Sequence, residues 1–95
     1  MKKIRDHDKL YLKSNRYEKT KEANKLLLRI LKKKMSKNKS YDLLDIGCAN
    51  GELLYFLNKK LLNIKLYGAD IRGDLLKLAK KKLSSDINLK KIDYT

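Results

Sequence analysis

Long apolar segments, paired cysteines and tryptophan are all missing from this chain of 95 residues. A membrane helix needs about 20 consecutive apolar residues, and no stretch of the sequence approaches that length, which excludes a membrane span. The basic start, MKKIRDHDKL, is not followed by the apolar stretch of a signal peptide. The single cysteine, Cys48, cannot form an internal disulfide. We therefore expect a soluble protein of a reducing, cytoplasmic compartment.

Acidic residues are also scarce, and their distribution divides the chain. The 25 Lys+Arg and 11 Asp+Glu give a net charge of +14, of which residues 1–40 carry +11 and residues 41–95 carry +3. This division predicts a basic N-terminal arm and helix over 1–40, followed by an αβ unit over 41–95. Such a basic segment can mark a nucleic-acid or membrane-surface partner. However, the chain lacks the arginine and aromatic interleaving that stacks bases, which favours a solvated basic face.

One stretch organises what remains, LLDIGCANGELL from Leu43 to Leu54. A compact apolar run enters a turn with two glycines, and a leucine-rich segment of helical spacing follows. Small residues in such a turn let a ligand approach the backbone closely, and glycine reaches positive φ without a steric penalty. The first N–H groups of a helix point towards the same place. The stretch therefore predicts a strand, a glycine-rich turn and a helix that together bind a cofactor.

The nature of that cofactor is indicated by what the turn lacks. A dinucleotide fingerprint, G-x-G-x-x-G, would need glycine at Ala49 and Glu52, counted from Gly47. A carboxylate at the last position would repel a pyrophosphate by about 1 kcal/mol or more at an effective dielectric constant of about 20. The sequence also contains no G-x-x-x-x-G-K-[ST] loop. A ligand that has an adenosine but no phosphates fits these residues better.

Three motifs resemble those of the class I S-adenosylmethionine-dependent methyltransferases. DIGCANG, from Asp45 to Gly51, resembles D-x-G-x-G-x-G with alanine in place of the middle glycine; we expect this departure to be mild. YGADI, which places Asp70 19 residues after Gly51, is similar to the second motif, and INLKKID, ending at Asp93, is similar to the third. The resemblance covers the chain from about Tyr41 to its end.

The resemblance implies S-adenosylmethionine as the cofactor and a role for each matching residue. Asp70 would accept hydrogen bonds from the ribose hydroxyls, and Asp93 would accept one from the adenine amino group, with Ile71 beside the base. Asp45 would help hold the methionine amino end. The backbone wall of the site would come from Gly47, Cys48, Ala49 and Gly51. A nucleophilic role for Cys48 at a helix N-terminus is less favoured than a small wall residue, because no histidine lies nearby in the sequence. No metal ligands and no catalytic base are identified.

The coarse pattern alternates strands and helices. We predict a helix from Ser14 or Asn15 to Met35 whose buried face holds Ala23, Leu27, Ile30 and Leu31. The other predicted elements are strands from Tyr41 to Ile46, Ile64 to Asp70 and Ile87 to Ile92, a helix from Glu52 to Leu61 or Leu62 capped by Asn50, and a helix from Asp74 to Leu83.

This alternation predicts an α/β fold with a parallel sheet of strand order 3-2-1 and flanking helices. The resemblance implies the first half of a three-layer, seven-stranded methyltransferase fold, and we expect such a fragment to be inactive alone. Its open, apolar first strand, with Leu43, Leu44 and Ile46, predicts a homodimer through the sheet edge.

The favoured function is methyl transfer to a small-molecule acceptor. Two alternatives remain at this point: an RNA or DNA methyltransferase that docks through the basic N-terminal helix, and a non-catalytic Rossmann-like binding module.

Overall fold

The structure, a computed structural model, describes residues 21–93, in which three helices alternate with three strands. In chain order, the elements are α1 (Glu22–Lys34), β1 (Tyr41–Ile46), α2 (Glu52–Lys60), β2 (Ile64–Asp70), α3 (Gly73–Lys82) and β3 (Asn88–Lys91). The predicted strands β1 and β2 are confirmed at both ends, and β3 is one residue shorter at each end than predicted.

The three strands form one parallel sheet in the order β1-β2-β3, which confirms the predicted fold class and strand order. Leu43 of β1 lies opposite Leu66 of β2, and Gly68 of β2 lies opposite Leu89 of β3. The strands point the same way, so their carboxyl ends meet at one edge of the sheet. That edge, which we call the carboxyl edge, therefore receives the turn after β1 and the residues that follow β2 and β3.

The core lies between one face of the sheet and helices α2 and α3. Leu54, Leu57 and Ala79 are completely buried there. Gly68 permits this close packing, because a Cβ at that position would lie 2.7 Å from Leu54 Cδ1 and 2.8 Å from Leu89 Cδ2. The side chains on the helix side of the sheet therefore pack directly against the backbone of Gly68.

The opposite face of β1 is open in the part of the chain that the structure describes. Leu44 and Ile46 point to this face, since side chains alternate along a strand, and they are 57% and 62% exposed. β1 is also an edge strand of the sheet. Within the described residues, helices therefore cover one face of the sheet, as in one half of the predicted layered fold.

Helix α1 differs from its prediction in its buried face. Within the described residues it begins at Glu22, since Lys21 has an extended backbone with φ −67° and ψ 150°, and the predicted start at Ser14 or Asn15 lies outside those residues. The predicted buried face is wrong in part. Ala23 and Ile30 are exposed, and the side chains that pack on the core are Leu28, Leu31 and Met35.

The physical reason is that α1 packs mainly on α2 rather than on the sheet. Leu28, Leu31 and Met35 are spaced i, i+3 and i+7, which is itself a helical stripe. Because the run Leu26–Leu28 offers apolar side chains in two directions, spacing alone did not identify the face that α2 covers. Among the helices of residues 21–93, none has the length and apolar character needed to cross a membrane.

Candidate functional site

The glycine-rich turn joins β1 to α2 at the carboxyl edge of the sheet. Three of its residues, alternating along the chain, have left-handed backbone conformations: Gly47 with φ 81°, Ala49 with φ 52° and Gly51 with φ 83°. Residues with a Cβ avoid this region at a cost of roughly 1–2 kcal/mol, whereas glycine does not. The G-x-A-x-G spacing of the sequence therefore matches a backbone that changes hand at every second residue.

Main-chain hydrogen bonds tie this turn to the end of β2. The amides of Gly47 and Cys48 both donate to the Ala69 carbonyl, at 2.7 and 3.0 Å. The Gly51 amide donates to the Cys48 carbonyl at 2.9 Å, which closes the turn on itself. The turn is therefore a fixed part of the sheet edge.

Asp70, the last residue of β2, completes this connection with its side chain. Its Oδ2 accepts a hydrogen bond from the Ala49 amide at 2.7 Å, and its Oδ1 accepts one from the Arg72 amide at 2.8 Å. The residue is only 7% exposed. Asp70 therefore holds the turn after β1 and the start of the segment that leads into α3, a structural role that the sequence analysis did not identify.

This bonding pattern bears on the kind of ligand that the edge suits. A phosphate site at a turn uses several free backbone N–H groups that point at the anion. Here the amides of Gly47, Cys48, Ala49 and Gly51 all donate within the protein. The turn can still offer its shape, its carbonyl groups and the remaining lone pairs of the Asp70 carboxylate, which has about four acceptor sites. These groups suit a ligand with donors and positive charge.

Glu52 does not play the part that the sequence analysis gave it. Its side chain is 7% exposed rather than displayed at the turn, and neither carboxyl oxygen accepts a hydrogen bond from the described residues. Burial raises the pKa of this carboxyl above its usual 4.5. The argument that an exposed carboxylate repels a pyrophosphate is therefore weakened. The predicted helix cap is also wrong: Gly51, and not Asn50, occupies the N-cap position of α2.

Asp45 and Cys48 lie close enough to Asp70 to share its electrostatic field. Burial, with a smaller contribution from the Asp70 charge, raises the pKa of Asp45. Burial, followed by the charges of Asp45 and Asp70, raises the pKa of the Cys48 thiol to about 11. The thiol is therefore protonated at neutral pH, and its sulfur lies in the core. This environment does not suit a nucleophile, and Cys48 reaches the turn surface only through its backbone.

The structure places the remaining predicted residues at the same edge. Ile71 follows β2 directly and is 49% exposed, and Asp93 is an exposed residue just after β3. The Ile92 amide donates to the Asp70 carbonyl at 2.9 Å, so the chain beyond β3 is joined to the end of β2. The predicted site residues thus come from the ends of three strands that were far apart in the sequence.

One ion pair stands beside the site. Arg72 donates to both carboxylate oxygens of Asp74, at 3.2 Å from Nε and 2.7 Å from Nη2. These hydrogen bonds are the main reason that the pKa of Asp74 is lowered. Sequence reasoning did not single out this pair. Residues 21–93 contain no group of three or more His, Cys, Asp or Glu side chains placed to hold a metal ion.

This chain matches known proteins by its structure and not by a family model or a curated sequence. No protein-family model matches the chain, and no curated protein matches it at a significant level. Solved structures do match. The plantazolicin methyltransferase BpumL, in complex with a pentazolic desmethylPZN analog and SAH, is 25% identical with a TM-score of 0.58, and the match covers 88% of this chain and 34% of BpumL.

Two further structures agree with it. CalS10, an amino pentose methyltransferase from Micromonospora echinaspora solved with bound SAM, is 18% identical with a TM-score of 0.59, over 98% of this chain and 36% of CalS10. The PH0226 protein from Pyrococcus horikoshii OT3 is 18% identical with a TM-score of 0.64, over 96% of this chain and 41% of that protein.

The chain therefore has the fold of the class I S-adenosylmethionine-dependent methyltransferases, and the resemblance predicted from its three motifs is confirmed. It spans between 34% and 41% of the length of these three proteins.

Proposed function

We propose that this chain binds S-adenosylmethionine at its carboxyl edge and is the cofactor-binding part of a methyltransferase. The observation that carries the proposal is the turn itself: its residues alternate in left-handed conformations, the Ala49 amide in its middle donates to Asp70, and the amides of Gly47, Cys48 and Gly51 also donate within the protein. Such an edge suits a nucleoside ligand that carries a cation instead of phosphates. The bound SAH of BpumL and the bound SAM of CalS10 support the same cofactor.

The residues at the edge fit the parts of this cofactor. The space beside Gly47 is open, since a Cβ there would meet no atom within 4 Å, so a ligand can lie against its backbone. Asp70 would accept hydrogen bonds from the ribose hydroxyls with the lone pairs that the backbone leaves available. Asp93 would accept one from the adenine amino group, and the exposed Ile71 would lie against the base.

Charge also favours this ligand. When bound, the cofactor supplies an electrophilic methyl group on a cationic sulfur. Asp45 and Asp70 place negative charge near the turn, which favours a cation over an anion. Asp45 would hold the amino end of the methionine part, alone or through water. The contribution of this chain to methyl transfer is therefore to bind and orient the donor, which lowers the barrier by positioning.

For the acceptor, we propose a small molecule. BpumL was solved with a desmethylPZN analog, CalS10 is an amino pentose methyltransferase, and a phosphoethanolamine N-methyltransferase from Haemonchus contortus has the same fold with a TM-score of 0.53. The alternative of a nucleic-acid acceptor rests on the basic N-terminal segment, of which residues 1–20 lie outside the described part. A non-catalytic adenosine-binding module is the other alternative.

A ligand comparison tests the cofactor proposal without altering the protein. We expect S-adenosylhomocysteine at about 100 times its dissociation constant to stabilise the chain by about 2.7 kcal/mol, which raises the melting temperature by about 10 °C or more for a domain of this size. Its 2′-deoxy analogue should bind about tenfold more weakly, because one hydrogen bond to the Asp70 carboxylate is lost. NAD is the control ligand. Equal stabilisation by NAD would contradict the proposal. Equal binding of the 2′-deoxy analogue would show that Asp70 does not bind the ribose 2′-hydroxyl.

A further inference from the structure

Many lysines in the described part of the chain lie at the ends of the three helices, on the side of the sheet edge opposite the glycine-rich turn. Helices α2 and α3 each join the carboxyl end of one strand to the amino end of the next, and α1 leads into the amino end of β1, so all three helices end on the side of the amino edge. Every one of these ends is basic; the lysines in the last turns are Lys32, Lys33, Lys34, Lys59, Lys60, Lys80, Lys81 and Lys82. The negative end of a helix dipole favours lysine, which explains cations at each end but not the surface that lies between two of them.

That surface is a groove of about 610 Å³ between the ends of α1 and α2. Three cations, Lys32, Lys37 and Lys60, line it together with the apolar side chains of Met35, Leu61 and Leu62. Leu62 is 98% exposed, the highest value among the exposed large apolar side chains of residues 21–93. The groove therefore combines cationic side chains with one apolar side chain that is almost fully open to solvent.

Hydrogen bonds hold the walls of this groove in place. The side-chain amide of Asn63 donates to the carbonyl groups of Ser36 and Lys39, at 2.9 and 2.8 Å. The Ser36 amide donates to the Tyr41 hydroxyl at 2.7 Å, and the Tyr41 amide donates to the Asn63 carbonyl at 2.9 Å. The segment after α1 and the turn after α2 are therefore joined, and the groove exists before any partner binds.

We propose that this groove is a docking site for an acidic polypeptide segment that carries an apolar side chain such as leucine. The lysines match acidic side chains, and the exposed Leu62, with the half-buried Met35 that also lines the groove, matches the apolar one. The lining contains no arginine and no aromatic side chain, which are the groups that read guanine and stack on bases. A nucleic acid would satisfy the charges but leave the leucine without an apolar partner.

The position of the groove separates this proposal from the proposed function. β2 has seven residues, which span roughly 20 Å at about 3.3 Å per residue. The groove, at the amino edge, is therefore separated from the carboxyl edge by about the length of a strand. A segment bound there does not reach the cofactor. The docking proposal therefore concerns a partner rather than the methyl acceptor, and it holds or fails independently of cofactor binding.

Fluorescence anisotropy with defined probes tests the proposal on the full chain. The probe is a labelled 14-residue peptide of glutamates with two leucines four residues apart, and the matched probe has both leucines replaced by serine. We expect the leucine peptide to bind about tenfold or more tightly than the serine peptide, as burial of a leucine side chain implies. A 15-residue oligothymidylate and vesicles with 30% phosphatidylserine test the other polyanions.

Three variants make the test specific for the groove. Leu62→Ser keeps the charge, and it should weaken the leucine peptide about tenfold while leaving the serine peptide unchanged. Lys60→Glu should weaken both peptides, whereas Lys77→Glu, an exposed position on α3 outside the groove, should change neither by more than about twofold. Full affinity in Leu62→Ser, equal effects of the two lysine variants, or tighter binding of the oligonucleotide or vesicles would overturn the proposal.

Discussion

Gly47 and Gly51 share a positive φ, but they require glycine for different reasons. At Gly51 a Cβ would lie 2.7 Å from Leu83 Cδ1 and 3.4 Å from Ala79 Cβ, so the core occupies the space. At Gly47 the space is empty. At Gly47 the positive φ alone favours glycine, whereas at Gly51 the packing of α3 on the turn adds a second reason.

This difference gives a paired prediction. Gly47→Ala should lower the free energy of unfolding by only about 1–2 kcal/mol, from backbone strain, and should weaken S-adenosylhomocysteine more than tenfold because the methyl group enters the ligand space. Gly51→Ala should lower the free energy of unfolding further, by about 2–4 kcal/mol, because strain and overpacking add. Chemical denaturation and calorimetric titration measure the two effects. A Gly47→Ala protein that binds like the wild type would show that the open space is not the ligand site.

Ala49 illustrates a limit of motif reading. The sequence analysis treated this alanine as a mild departure because a methyl group still permits close approach. The structure adds a conformational requirement, since Ala49 has φ 52° and its amide donates to Asp70 at 2.7 Å. A spacing of glycines indicates that a turn exists, but it does not indicate which side chain holds a strained residue within it.

Buried Glu52 makes stability depend on pH. A carboxyl whose pKa is higher in the folded state contributes fully to stability when the pH is below its unfolded-state pKa. That contribution is lost as the pH rises through the folded-state pKa. We therefore predict that Glu52→Gln is about as stable as the wild type near pH 4 and more stable at pH 7. Thermal unfolding across this range measures the difference between the two proteins. Burial also raises the pKa of Asp45, but Asp45 is present in both proteins, so the difference reports on Glu52.

The matched control is Glu22→Gln, which removes the same charge from an exposed position in the first turn of α1. It gives the effect of the same substitution at an exposed helix position, against which the Glu52→Gln difference is read. A Glu52→Gln protein that is less stable than the wild type at pH 7 would contradict the account of an unpartnered buried carboxyl.

At the scale of elements, the open strand β1 is the feature with the clearest consequence. Its outer edge has no neighbouring strand in the described sheet, and Leu44 and Ile46 are exposed on its uncovered face. Unpaired apolar edges favour pairing between chains. The homodimer expected from the sequence therefore stays a prediction with a defined surface.

Leu44→Lys tests it. We expect this change to leave the free energy of unfolding within about 0.5 kcal/mol, as for most surface positions, and to reduce self-association at high protein concentration, measured by light scattering. Asn58→Lys, exposed on α2, adds the same charge away from the edge and should have little effect. A wild-type chain that stays monomeric at high concentration would sink the idea.

The elements also show how far sequence patterns reach. β1 and β2 were predicted at their observed ends because each is a short apolar run next to a glycine or an acidic residue that ends it. The face of α1 was predicted wrongly in part because its apolar stripe packs on another helix, and which of two stripes faces a neighbour is decided by tertiary contact. Likewise, the hydrogen bonds of Asp70 to two backbone amides depend on a fold that brings residues 49, 70 and 72 together.

At the scale of the molecule, the two edges of the sheet differ in charge without being of opposite sign. Asp45 and Asp70 lie at the carboxyl edge, whereas the lysine-rich helix ends lie at the amino edge. Lys91 and Arg72 also lie beside Asp70, so acidic and basic side chains are mixed at the carboxyl edge, whereas the helix ends are uniformly basic. The net charge of +14 therefore does not make the whole surface basic, and it does not argue against a cationic cofactor.

The most direct test of the central claim is calorimetric titration of the chain with S-adenosylhomocysteine, with NAD as the control ligand and Gly47→Ala beside the wild type. Asp70→Ala is a less decisive variant, because it also removes the bonds that hold the turn. The account predicts saturable binding of S-adenosylhomocysteine, none of NAD, and a loss of more than tenfold in Gly47→Ala while that protein remains folded. A folded wild-type chain that binds neither ligand, or that prefers NAD, would contradict it.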